Sequence, residues 1–188
     1  MTTWFTSDQH YGHKNIIKHC DRPFADVDEM NHSLLKRFNE RVQAGDIVYH
    51  LGDFSMDERL VALYAKQLRG RHFLVPGNHD ACHSRHKHHI KAQRLYRAAG
   101  LTVLPEQFEV HFDGLGHVLL CHMPLRVPLL PDERYAQYRP EDKLHYRYIL
   151  HGHVHEKWRR NGKMLNVGVD QWGYGPVSLG ELHAFVGG

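Results

Sequence analysis

The chain has 188 residues, 41% of them hydrophobic and 24% charged, with a formal net charge of +3 when histidine is neutral. These values suit one globular domain over residues 1–188 with a real core, and such mild basicity does not by itself call for a nucleic-acid partner. The odd set of three cysteines, Cys20, Cys82 and Cys121, argues against a disulfide framework, and neither a membrane-spanning stretch nor a secretory signal is visible, so a cytoplasmic protein is expected.

Thr2 to Ser7 is short and rich in β-branched and aromatic residues, so it reads as a buried strand that stops at Asp8. His13 to His19 reads as a short helix. Between Asp28 and Gln43 the apolar residues Met30, Leu34, Leu35, Phe38 and Val42 have the spacing of an amphipathic helix, with Gly45 just past its end. Ile47 to Leu51 is a second strand. A helix from Asp57 to Arg69 places Leu60, Leu63, Tyr64 and Leu68 on one face, and Gly70 ends it. His72 to Val75 is a third strand, broken by Pro76-Gly77, and His88 to Ala99 a third helix. Hairpins follow. Phe108 to Phe112 and His117 to Cys121 flank Asp113-Gly114, and Glu156 to Arg160 and Lys163 to Val167 flank Asn161-Gly162. Val127 to Asp142 reads as an irregular loop, Tyr146 to Leu150 as a strand and Leu179 to Val186 as the last strand. Alternating β and α units followed by hairpins suggest an α/β sandwich with a mixed sheet core.

Packets of metal-ligand residues stand at the ends of these strands: Asp8-Gln9-His10, Gly52-Asp53, Gly77-Asn78-His79-Asp80, His122 and His151-Gly152-His153-Val154-His155. Strand ends are where ligands gather in open α/β sheets. Carboxylate, imidazole and amide oxygen together suit Mn, Fe, Zn, Co or Ni better than Ca or Mg. Asp8 and His10, like His153 and His155, are spaced to aim at one ion, and the two oxygens of Asp53 make it the best candidate for a bridge between two. A lone His122 is ordinarily structural and gains weight only from its place in the series. Asp46, which precedes its strand, reads as a turn residue. The run from Cys82 to His89 reads as a solvated loop and helix start with adventitious metal binding. Lys157, Arg159, Arg160 and Lys163 read as a solvated basic hairpin, with stacking of Trp158 on a base as the rarer alternative.

The order Asp-x-His, Gly-Asp, Gly-Asn-His-Asp, lone His, Gly-His-x-His resembles the calcineurin-like metallophosphoesterase superfamily from Asp8 to His155, and Ser7 to Ile17 resembles its small bacterial and phage branch. The resemblance implies a four-layer α-β-β-α sandwich of two mixed sheets with two divalent transition-metal ions, manganese foremost. It places Asp8, His10, Asp53 and His155 on the first ion, and Asp53, Asn78, His122 and His153 on the second. His151 falls outside the pattern. Relatives often carry an Asp three residues after the bridging one, supporting the catalytic His. Met56 stands there, leaving Asp57 and Asp80 as the substitutes for supporting His79.

Two such cations generate hydroxide near neutral pH for in-line attack on phosphorus. His79 is then the expected proton donor to the leaving oxygen, with Arg126 and His13 as candidate substrate contacts. The expected function is phosphoric ester hydrolysis, with a diester of nucleotide or nucleic-acid type as the preferred substrate and no membrane partner. The rivals are a phosphomonoesterase or protein phosphatase, and a non-catalytic metal-binding scaffold.

Overall fold

The computed structural model describes residues 1–125 and 135–187. Two five-stranded mixed sheets form its centre. The first contains β1 (Thr3–Thr6), β2 (Ile47–His50), β3 (Arg71–Leu74), β4 (Leu101–Val103) and β10 (Val177–Ser178), in the order β10-β1-β2-β3-β4. Strands β1 to β4 are parallel, and β10 pairs antiparallel with β1. The second sheet has the order β5-β6-β7-β9-β8, from β5 (Gln107–Phe112), β6 (Gly116–Cys121), β7 (Tyr148–His151), β8 (Arg160–Asn161) and β9 (Met164–Asn166). Here β6, β7 and β9 run parallel, with antiparallel strands at both edges.

Alternation along the strands divides the core. Trp4, Val48, Leu74 and Leu101 face a helical layer of α1 (Lys14–His19), α2 (Val27–Arg41), α3 (Glu58–Ala65) and α4 (His89–Ala98), which supplies Ile16, Met30, Leu34, Phe38, Val61 and Tyr96. Phe5, Leu51 and Val75 face Val118, Leu120, Leu150 and Leu165 of the second sheet, so both inner faces are buried against each other. Leu119, Cys121, Ile149 and Met164 form a smaller cluster on the outer face of the second sheet. Caps fix two helix starts. The Asp26 carboxylate accepts from the Asp28 and Glu29 amides ahead of α2, and Asp57 accepts from Arg59 N ahead of α3.

Four expectations change. Helix α3 stops at Ala65 and buries Val61 and Ala65, while Leu63, placed on its apolar face, is half exposed. The last strand, Leu179 to Val186, is the helix α5 (Leu179–Gly187). Its Ser178 Oγ accepts from Glu181 N at 3.2 Å while Glu181 Oε2 accepts from Ser178 N at 2.8 Å, a reciprocal cap that starts a helix. Leu182 is thereby buried in the inter-sheet core. The second hairpin shrinks to the short strands β8 and β9 around Asn161-Gly162. Leu101–Val103, not expected as a strand, forms the β4 edge. Arg126, a candidate substrate contact, lies outside the described residues.

Candidate metal centre

The parallel strands β1, β2 and β3 of one sheet and β6 and β7 of the other end at the packets singled out in the sequence. Backbone pairing continues past the strand ends and fixes the loops against each other. Asp8 N donates to Gly52 O at 3.0 Å, His10 N to Asp53 O at 3.0 Å, and Gly152 N to His122 O at 3.0 Å. A bridge between Ser7 and Gly168 joins the end of β1 to the segment after β9. The seven side chains come from five separate loops. Asp8, His10, Asp53, Asn78 and His122 are buried, and His153 and His155 are half-buried.

Asp8, His10 and His155 offer ligand atoms within 4.8 Å of one another, and so do Asp8, Asp53 and His122. Asp53 Oδ2 lies 3.5 Å from His10 Nε2 and 3.4 Å from His122 Nε2. Asn78 Oδ1 stands 3.1 Å from His122 Nε2. His153 is the outlying member: its ring centroid lies 5.2 Å from that of His122, and its amide donates to both Asp8 oxygens at 3.1 and 3.0 Å. Asp8 therefore touches both groups, not the first alone.

Five of these residues, Asp8, His10, Asp53, His153 and His155, have positive φ, between 48° and 71°. Side-chain-bearing residues rarely adopt that conformation, and it costs on the order of 1–3 kcal/mol at each position. The flanking loops hold them there. At Gly52, with φ +92°, a Cβ would stand 2.5 Å from Gly77 Cα and 2.7 Å from His122 Nδ1, so any side chain would drive the β2 and β3 loops apart. A Cβ on Gly152 would stand 2.2 Å from Asp8 Oδ2.

The donor set fits divalent cations. Among the described residues, neither ring nitrogen of buried His10 has a hydrogen-bond partner, and Asn78 Nδ2 has none either. His122 Nδ1 lies 2.8 Å from Leu51 O, a bond it makes only as donor, so Nε2 faces Asp53 and Asn78 as a lone pair when the ring is neutral. Burial opposes protonation of His122 and His155, but Asp53 beside the first and Asp8 beside the second outweigh it and hold them up at about 9 and about 11. A buried pocket whose carboxylates attract protons this strongly is one in which cations displace protons.

Supporting contacts reach far along the chain. Asp170 Oδ2 stands 3.3 Å from His155 Nδ1 and 2.8 Å from Arg22 Nη2, while the same Arg22 nitrogen donates to Asp8 O at 2.7 Å. Neither Arg22 nor Asp170 stands out in the sequence. Asp80 accepts from Asp53 N, Phe54 N and Gly77 N at 2.8, 3.0 and 2.9 Å. It clips the two loops together and does not hold the His79 ring. Burial and then the Asp53 charge push the Asp80 carboxyl up to about 7. Asp57 only caps α3 and pairs with Arg59 at the surface. Among the described residues no hydrogen bond holds the His79 imidazole, whose amide donates to Asp53 Oδ1 at 2.8 Å.

The histidine-rich run is only in part the solvated loop expected: Ser84, Arg85, Lys87 and His88 are exposed, and α4 starts at His89. Cys82 and His83 are buried, and Arg85 Nη1 and His86 Nε2 grip Asn78 O at 3.0 and 3.1 Å. Trp158 packs 4.8 Å from the His151 ring. Arg159 lies over Trp172, and Lys163 pairs with Asp142. Asp46 is a buried hub accepting from Thr2 N, Trp4 Nε1 and Gln43 N, well beyond a turn residue.

Two mixed sheets with donor-rich loops at facing strand ends define the metal-dependent phosphoesterase class. The sequence model of the calcineurin-like phosphoesterase superfamily domain matches residues 1–171, and the chain belongs to this family. It is thus a metal-dependent phosphoester hydrolase. It is 33% identical over 97% of its length to the Gene 66 protein of Mycobacterium phage D29, and covers 94% of that protein. It is 31% identical over 94% of its length to the uncharacterized protein MJ1445 of Methanocaldococcus jannaschii, covering 86% of it. These relatives agree with a small phage-type branch. A crystal structure of a protein of unknown function from Aquifex aeolicus shares the fold, with TM-score 0.69, 24% identity and 98% of each chain covered. No helix among the described residues is long and apolar enough to cross a membrane.

Proposed function

We propose that the chain hydrolyses phosphodiesters, of nucleotide or nucleic-acid type, with a pair of divalent transition-metal ions, manganese foremost. The observation that carries this is the position of Asp53 Oδ2, 3.5 Å from His10 Nε2 and 3.4 Å from His122 Nε2. One carboxylate faces both donor groups, as a bridge must. On this reading Asp8, His10, Asp53 and His155 hold one ion, and Asp53, Asn78, His122 and His153 the other, with Asp8 near both. Cations bound there supply acidified water and take up charge on the phosphoryl oxygens.

The chain's own residues supply the rest. His79 sits beside the pocket with its ring 5.6 Å from that of His10, and its half-buried imidazole is placed to give a proton to the leaving oxygen. His13 lies on another side of His10, ring to ring 5.3 Å, where burial and then the nearness of His79 lower its pKa. A neutral His13 is suited to contact a non-bridging oxygen or the ester group. A monoester dianion calls for further cations over the pocket. Among the described residues Arg22 is committed to Asp170 and Arg85 to Asn78 O, which supports the singly charged diester.

The test uses bis-p-nitrophenyl phosphate and p-nitrophenyl phosphate with added Mn(II), each repeated in EDTA. Faster Mn-dependent turnover of the first supports the diesterase reading, and preference for the second overturns it. Asp53→Asn should lose both bound metal equivalents; retention of both would end the bridging role.

A further inference from the structure

We propose that Glu109, His117 and His145 form a separate single-ion site of the zinc type on the outer face of the second sheet. The three residues come from β5, from β6 and from the turn ahead of β7. Their ligand atoms lie within 4.8 Å of one another. Glu109 and His117 are diagonal neighbours on paired strands, since Glu109 stands opposite Leu119 and His111 opposite His117. That face also carries Leu119 and Cys121, away from the inter-sheet core. His117 and His122 are five residues apart along β6 and its exit, roughly 16 Å at the rise of an extended strand, so the two sites do not share ligands.

The distances fit a tetrahedral ion. Both His117 Nε2 and His145 Nε2 face the same oxygen, Glu109 Oε2, at 3.3 and 3.4 Å. Charge-assisted bonds between imidazolium and carboxylate close to about 2.7–2.9 Å. A tetrahedral zinc ion with bonds of about 2.0–2.1 Å instead holds neighbouring ligand atoms about 3.3–3.4 Å apart. Two protonated rings with centroids 5.0 Å apart would also repel, whereas one divalent ion takes both rings neutral.

The other carboxylate oxygen is already held. Tyr146 Oη donates to Glu109 Oε1, and Lys143 Nζ lies 3.3 Å from it, which turns Oε2 toward the histidines. The Lys143 side chain is half exposed and can turn to solvent when a cation enters. Three protein ligands leave a fourth position for water. The ion would clasp the segment leading into β7 onto the β5–β6 hairpin.

Zinc content after equilibrium dialysis against Zn(II) tests the site, because it does not depend on turnover. Wild type should hold one equivalent more than His117→Gln/His145→Gln, while His32→Gln, a surface histidine on α2, should match wild type. The same difference should persist in an Asp53→Asn background, which separates this site from the proposed metal pair. Hydrolysis of bis-p-nitrophenyl phosphate should be unchanged in the double variant. Equal zinc content in wild type and the double variant would overturn the proposal, as would equal loss in His32→Gln.

Discussion

A histidine that holds a metal ion is steered by whatever binds its other ring nitrogen. On the proposed reading His155 is such a ligand, and its partner is Asp170, itself fixed by Arg22, which also reaches the backbone of Asp8. Asp170→Asn keeps the shape but weakens the acceptor, and should lower manganese affinity about 10–100-fold in a direct titration. Wild-type affinity in that variant would show that the relay does not matter. His79→Ala should behave in the opposite way, with kcat lower by about 10²–10⁴-fold and metal content intact. Parallel loss of metal would replace the proposed proton donation by His79 with structural support. The residues gathered at the strand ends were legible because their chemistry is packed into short motifs. Arg22 and Asp170 were not, because they meet across 148 residues and neither has a local pattern. Asp80 was legible as a candidate, but its aim at the Asp53 and Gly77 amides depends on how two loops approach.

Helix α5 shows how an element can be misread while its residues announce it. Leu179, Leu182, Phe185 and Val186 form an apolar run short enough to pass for a strand, and periodicity alone does not separate the two. The deciding signal was Ser178-x-x-Glu181, whose reciprocal bonds fix the helix start and whose carboxylate also pairs with Arg41 at 2.5 Å. Ser178→Ala removes the side-chain half of that cap and should cost about 0.5–2 kcal/mol in urea unfolding, with no change in metal content. No loss would mean that burial of Leu182 alone directs the helix. The longer helices α2, α3 and α4 lie near the places their apolar spacing predicts, although α4 has no side-chain cap and α3 buries Val61 and Ala65 in place of Leu63. The short strands β4 and β8 carry too few residues for any pattern to register.

At the scale of the whole molecule, the metal pocket is tied to the helical layer by a chain of hydrogen bonds through buried histidines. Gln9 Nε2 lies 2.9 Å from His50 Nδ1, His50 Nε2 lies 3.1 Å from His72 Nδ1, and His72 Nε2 lies 3.3 Å from Leu68 O. Gln9 Nε2 can only donate and Leu68 O can only accept, so each ring is neutral with its proton on Nε2. A second proton on either ring would set two N–H groups against each other. Burial lowers the pKa of both rings, and the nearby His72 lowers that of His50 further, against a weaker upward pull on His72 from Leu68 O. The sign follows. Near pH 6.5 and below, the unfolded chain binds protons that the folded chain refuses, so stability is held above that range and falls as the pH drops through it. Each such proton contributes a slope of up to about 1.4 kcal/mol per pH unit. Unfolding of the EDTA-treated protein should therefore require less urea at pH 5.5 than at pH 7.5. His50→Gln/His72→Gln should be less stable at pH 7.5 yet lose less on acidification. The metal-site groups titrate alike in both proteins and cancel in the comparison. An unchanged slope in the double variant would assign the acid sensitivity elsewhere. A reduced slope would assign it to the His50–His72 pair, which Gln9 joins to the pocket between Asp8 and His10.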